Sequence, residues 1–496
     1  MARFKVSRLL DYAWYLFVLL LPISSMPLIA RLSGADNVAP ISGIFLAILV
    51  VCWLIPYLWK RGTLPFPSKP MLRFVLVALI ATACAFFIDI PMFKGIIITS
   101  SMVKGVFTLG IGVCFYLVVS TYITDEQKLK TTLQLISISG LAVILWSVAQ
   151  MAAYHLYGHF PSWMASIQRQ LSIGSLIDDR ASGFALEPSW LAHQLNMVFL
   201  PFWLSAVYHR DSVFRLRIWK FIAEDFLLAG GILTMILTFS RAGWVAFLLT
   251  VAFVFFLLNR RLVGWAIRKF TPTDMADEKK KRVTGRTIAI VSTVLLVIFY
   301  VSFLAGTAFV FSKVDKRMAT LFIFSSPTSS QNGDAILRYA NSLEFGERVI
   351  YWLASWGVFN SHPWLGVGLG NAGYFFPQNI TPYGWSLTEV RNLLYRSPGL
   401  LNTKSLWFRL LAETGIIGFA FFLTWLYVLV LSGTKLNQHA SRLLKTVGMA
   451  GIMVVIGLVI EGFSIDSFAM PYLWVSAGIL SAAFNIGEKE PPGVSQ

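Results

Sequence analysis

Three arginines, a carboxylate and a histidine stand where apolar runs of the chain are interrupted. Arg241 lies in Ser240-Arg241-Ala242-Gly243, a short break between two such runs. An arginine at membrane depth is costly unless it snorkels to the headgroups or faces a polar cavity, so Arg241 is an interface anchor or a ligand contact. Arg348, in the doublet Glu347-Arg348, opens a helical stretch and is either half of a surface ion pair or a ligand-facing cation. Arg180 precedes Ala-Ser-Gly-Phe-Ala-Leu-Glu187-Pro188-Ser189. Glu187 is pushed out of helical geometry by the proline that follows, and Pro188 suits a first helical position. The Glu187 carboxylate therefore borders a helix N-terminus, as a dipole partner or as a working acid or base. His362 precedes Pro363, where the helix begun near residue 347 must stop. It is a helix-terminus group or a proton acceptor.

Beyond Pro363 come Gly366, Gly368 and Gly370, whose backbone N–H groups could meet a phosphate or a sugar. No βαβ pattern surrounds them, which excludes a dinucleotide fingerprint. Arg409 and Glu413 lie four apart and can pair on one helix face. Gly415 and Gly418 follow, small enough for close helix contact. The chain has no HExxH and no Walker A motif, and no carboxylate cluster suited to Mg²⁺ on this side. No metal and no other cofactor is expected. A phosphate-bearing substrate would be neutralised by guanidinium, whose fork matches it.

The elements that must position these residues are membrane helices. Of 496 residues, 56% are hydrophobic and 13% charged, against about 25% charged in a soluble domain. The 40 Phe and 17 Trp fit the same solvent. Runs near 20 residues suffice to cross the hydrocarbon core. They fall at 12–30, 40–59, 72–90, 105–122, 132–153, 187–208, 222–239, 243–258, 287–311, 406–431, 446–464 and 470–487. The predicted fold is all-α and polytopic, with about twelve spans. Cys52, Cys84 and Cys114 sit in separate runs and read as core thiols.

The net charge of +17 does not require nucleic acid as a partner. With the N-terminus inside, the short inner segments hold 26 of the 41 lysines and arginines, nine of them in 259–286. That places both termini in the cytoplasm and the residues above outside. No cleavage site follows the first apolar run, so the first helix is retained. Residues 1–311 then carry nine spans and a smaller outer loop near 154–186. Residues 312–405 form a large outer loop with a helix near 342–361, capped at Asn341 and preceded by a flexible polar stretch at 325–335. Residues 406–487 carry the last three spans and 488–496 a polar tail.

Three motifs, in this order, resemble those of the O-antigen ligase and Wzy-type polysaccharide polymerase superfamily. They are Ser240-Arg241-Ala242-Gly243-Trp244, then Arg348…Trp352…His362-Pro363…Gly366-Val367-Gly368-Leu369-Gly370, then Leu410-Leu411-Ala412-Glu413-Thr414-Gly415-Ile416-Ile417-Gly418. The resemblance covers roughly 180–430. It implies a metal-independent glycosyltransferase of the bacterial plasma membrane that uses undecaprenyl-diphosphate-linked glycans at the outer face. An acceptor hydroxyl attacks the donor's anomeric carbon and the lipid diphosphate leaves. It further implies that Arg241 and Arg348, with Arg180 and Lys404, hold the diphosphate. Glu187 is the first candidate for the proton acceptor and His362 the second. Tyr351, Arg409 and Glu413 support the site. Membrane lipids and a chain-length regulator are the other expected partners.

Ligases of the superfamily carry His, then Asn, Ser or Gln, then nine residues before Gly-x-x-Gly. At that spacing this chain has Lys404-Ser405 ahead of Gly415 and Gly418. The missing histidine favours a polymerase of repeat units over a ligase acting on lipid A core or another acceptor. A transporter or flippase of lipid-linked oligosaccharide is the reading from another class. Internal repeats are lacking, and charges in mid-span, where transporters hold their sites, are scarce.

Overall fold

The computed structural model describes residues 2–33, 37–60, 62–270, 278–314 and 345–489. The expected flexible stretch at 325–335 and the cap at Asn341 lie outside them. The chain forms two compact units, Met1–Ala246 with Glu347–Gln496, and Phe247–Gly346.

The helices of the first half are α1 (Ala2–Leu19), α2 (Pro27–Ser33), α3 (Ser42–Leu49), α4 (Ile55–Trp59), α5 (Ser68–Cys84), α6 (Ile98–Tyr122), α7 (Glu126–Tyr157), α8 (Ser162–Leu171), α9 (Pro188–Gln194), α10 (Leu200–His209), α11 (Ala223–Leu237) and α12 (Arg241–Phe270). The second half holds α13 (Glu278–Val314), α14 (Gly346–Ser361), α15 (Phe376–Asn379), α16 (Pro382–Ser386), α17 (Thr388–Tyr395), α18 (Leu406–Leu436), α19 (Arg442–Glu461) and α20 (Pro471–Lys489). Between α10 and α11 a two-stranded hairpin pairs β1 (Arg217–Ile218) with β2 (Phe221–Ile222).

Helix covers each of the twelve apolar runs. Among the described residues, eight helical stretches are long and apolar enough to cross a membrane: 42–59, 68–87, 98–122, 126–157, 241–269, 285–303, 406–436 and 442–461. The protein is a polytopic helical membrane protein. The other four runs also form helix, but helix that is shorter, interrupted or more polar. The first differs most from expectation. Its helix stops at Leu19, and a turn containing Pro22 leads to Pro27 and α2.

Proline shapes two more runs. Val50–Leu54 and Leu195–Phe199 are π-helical, and Pro56 and Pro201 follow them. A proline at 201 offers no N–H to the carbonyl of Met197, and the Ser476 hydroxyl of α20 donates to that carbonyl at 2.6 Å. In the first unit α18 packs on α5 and α19, α20 on α6, and α10 on α19. Trp203, Trp425, Trp474 and Phe115 are among the large side chains fully buried there. In the second unit α12 and α13 are joined by Asn259, which bonds Ser292 and Thr293, and by Tyr300, which donates to Leu248 O. Cys52 is exposed on its helix and Cys84 and Cys114 are half-buried, so the core reading fails for Cys52. An apolar helix face turned to lipid accommodates a thiol as readily as a core does.

Candidate active site

The two glycine-bearing motifs are one structural object. Gly415 interrupts α18 with φ 61° and ψ −170°, which breaks the helix ladder. The backbone groups so released find partners in the loop after Pro363. Val367 N–H donates to Ala412 O at 2.9 Å and Gly368 N–H to Glu413 O at 2.9 Å. In the other direction Ile416 N–H donates to Pro363 O at 2.8 Å and Ile417 N–H to Trp364 O at 3.3 Å. Irregular backbone at membrane depth persists only when its polar groups are satisfied by protein, and here loop and kink satisfy each other.

This corrects one expectation. The N–H groups of the glycine loop do not point at a ligand: Gly366 N–H donates to His362 O, Leu369 N–H to Thr82 Oγ1, and Gly370 N–H to the Glu413 carboxylate. The glycines are small because the loop lies against α18 backbone; a Cβ at Gly366 would meet Ala412 O and Glu413 C. Gly415 likewise breaks a helix instead of easing contact between two.

Arg348, Lys404 and Arg409 meet at the segment after α19. Arg348 Nη1 donates to Ser464 O at 3.0 Å, and no ion pair joins it to Glu347 among the described residues. Lys404 takes a left-handed conformation (φ 52°), and its backbone N–H donates to Asp466 Oδ2 at 3.1 Å. Arg409 Nη1 donates to Asp466 O at 2.7 Å while its Nε donates to Glu413 Oε2 at 2.9 Å. Its guanidinium also lies 4.6 Å from the centre of the Phe468 ring. Ser405 caps α18 and donates to Gly462 O at 2.9 Å. Arg409 and Glu413 thus pair as their spacing predicted, in a buried and fully bonded cluster that holds α18 to the 462–468 segment.

Arg180 and Arg241 belong to a second group. Arg180 Nε donates to Thr238 O at 3.0 Å, and Ala181 N–H donates to Leu237 O at 2.8 Å. The Arg180 loop is therefore bonded to the turn at 238–240, after which Arg241 opens α12. Glu187 stands at the N-cap position of α9 and accepts a hydrogen bond from the Ser189 hydroxyl. Nine residues after Glu187, Asn196 Nδ2 donates to Gly243 O at 2.8 Å and to Glu461 Oε1 at 2.6 Å. His193 Nδ1 lies 3.3 Å from Glu461 Oε2. Asn196, Glu461 and the 462–468 segment thereby join the Arg241 turn to the Arg348 group.

Two candidates stand among aromatic side chains. His362 stands edge-on to Phe375, with centroids 5.4 Å apart, and its Nδ1 is buried with no hydrogen-bond partner among the described residues. Tyr351 is fully buried beside Phe376, its hydroxyl equally unpartnered. Burial pushes the Tyr351 phenol well above its ordinary range, so it stays neutral.

His193, Asn196, Glu461, Ser464 and Asp466 were not singled out in the sequence. Glu461 was the detectable one, a lone carboxylate closing the apolar run 446–464. The carbonyl of Ser464 has no side-chain signature and could not have been found.

Residues 226–423 match the family described as O-antigen ligase. Over this stretch, which is less than half of the chain, the protein is similar to that family. No curated protein matches the chain. The match points to a membrane enzyme of O-antigen or polysaccharide assembly, with glycosyltransferase-like activity on lipid-linked glycan.

Proposed function

We propose that the protein polymerises oligosaccharide repeat units carried on undecaprenyl diphosphate, at the outer face of the plasma membrane and without a metal. The supporting observation is the bonded path of Arg348–Ser464, Glu461–Asn196–Gly243 and Thr238–Arg180, which gathers cationic groups far apart in sequence at one end of the helices. A leaving diphosphate needs such a cluster, because charge develops on it as the anomeric C–O bond breaks.

Arg180, Arg241, Arg348 and Lys404 bind the diphosphate of the donor. The acceptor hydroxyl attacks the anomeric carbon, a new C–O bond forms, and the electron pair of the old one leaves with the lipid diphosphate. Glu187 accepts the hydroxyl proton. It is preferred to His362 because it stands at the N-cap position of α9, in the Arg180 segment, with its carboxylate accepting from the Ser189 hydroxyl, whereas His362 is packed on Phe375. A single displacement of this kind inverts the anomeric centre.

Ligase activity is the second reading, favoured by the description of the matching family. Lys404, at the position where ligases carry histidine, weighs against it. Incubating the purified protein with lipid-linked repeat units separates the readings. A ladder of longer glycans establishes polymerase. Transfer that waits for a separate acceptor establishes ligase, and lipid movement between leaflets without glycan transfer would overturn both.

A further inference from the structure

Glu461 is in an unfavourable place for a carboxylate. It is 1% exposed and ends α19, where the helix dipole opposes negative charge. Its two oxygens are used by Asn196 Nδ2 and His193 Nδ1, both from the segment after Glu187, and these residues are 2% and 3% exposed. Asn196 lies in the π-helical turn 195–199, where the widened backbone changes the direction of side chains. The same amide nitrogen reaches Gly243 O, two residues past Arg241. Three residues past Glu461, the Ser464 carbonyl receives Arg348. One short segment therefore touches the elements of both arginines.

We infer that Glu461 and Asn196 are positioning residues that set Arg241 against Arg348, so that both guanidiniums meet one diphosphate. This rests on the diphosphate reading above. It adds that the spacing of the two cations is fixed by a buried Glu–Asn bridge to backbone carbonyls and not by the arginines' own helices. Neither bridge residue touches the substrate. Displacement of a charge by about 1 Å is enough to cost on the order of 100-fold, so loss of the bridge should be felt at the ligand.

The test measures binding of undecaprenyl diphosphate to purified protein. Glu461→Ala and Asn196→Ala should each weaken binding tenfold or more. Glu461→Gln, whose amide oxygen still accepts from Asn196, should stay within about threefold of wild type. Ser205→Ala supplies the control, because the Ser205 hydroxyl also ties α10 to α19, through Thr446 O at 2.7 Å. It should lower thermal stability without weakening binding. The deciding measurement is a double-mutant cycle. On an Arg241→Ala background, Glu461→Ala should cost under twofold more, because the residue through which it acts is gone. Independent, multiplying losses would overturn the inference, as would Glu461→Ala losing no more than the Ser205→Ala control. If Arg241→Ala and Arg348→Ala bind as well as wild type, the diphosphate reading itself falls and the inference with it. That outcome is distinct from a failed cycle on a protein whose arginines matter.

Discussion

At the scale of single residues, burial and hydrogen bonding separate groups that the sequence presents alike. Arg409 and Arg348 are both first-turn arginines with a glutamate close by in sequence. Arg409 is spent on Glu413, Asp466 O and the Phe468 ring, while Arg348 makes its described bond to one carbonyl. Glu413→Ala would leave the Arg409 charge buried without its carboxylate and strip Gly370 N–H of its acceptor. The expected cost is about 3–5 kcal/mol, read as a lower melting temperature and poor yield in detergent. Tyr351→Phe should do the opposite. It removes a buried hydroxyl that has no partner, so stability should stay level or rise by about 1 kcal/mol, and turnover should hold at wild-type level. A tenfold loss of turnover in a stable Tyr351→Phe protein would return that hydroxyl to the site. Since the phenol is held neutral far above the neutral range, its ionisation should leave no mark on the pH profile between pH 6 and 9.

At the scale of elements, the helices were legible and their irregularities were not. Apolar length alone located a helix for every run, and Pro363 marked the end of α14 two residues past its observed last residue, Ser361. The break at Gly415 was invisible because glycine in an apolar run reads equally as a packing surface. What fixes the break is tertiary: the 363–368 loop supplies four hydrogen bonds to a helix that would otherwise have made its own. The same reciprocity explains why both motifs occur in one chain. A methyl at 415 is excluded by the left-handed conformation and by Trp364 O, which a Cβ would strike. Gly415→Ala should therefore abolish activity and destabilise the N-terminal part of α18. Gly264→Ala, at a position with open space around it, should do neither. Comparable melting temperatures for the two variants would sink the account of the kink.

At the scale of the molecule, the family match covers 226–423, yet the bonded path through the site uses Arg180, Asn196, Glu461 and Ser464 on both sides of it. Pairings of this kind, a side chain with a carbonyl 47 to 116 positions away or with a carboxylate 265 away, leave no local pattern, and so the Arg348 and Arg241 motifs were legible while their connection was not. Orientation is the property of the whole chain most open to test. Arg180 bonds Thr238 O, after the end of α11, whereas the 217–222 hairpin lies before its start. A 15-residue helix separates the two, roughly 22 Å. The hairpin region carries Arg215, Arg217 and Lys220 with Trp219 exposed between them, a composition suited to a cytoplasmic interface. Replacing Cys52, Cys84 and Cys114 with alanine should preserve activity, since the three are free thiols and none is a candidate site residue. On that background, Asp178→Cys should react with a membrane-impermeant maleimide on intact cells, and Trp219→Cys only after the membrane is opened. The reverse pattern would invert the protein and move the arginine cluster to the cytoplasmic face, where an outer-face polymerase could not use it.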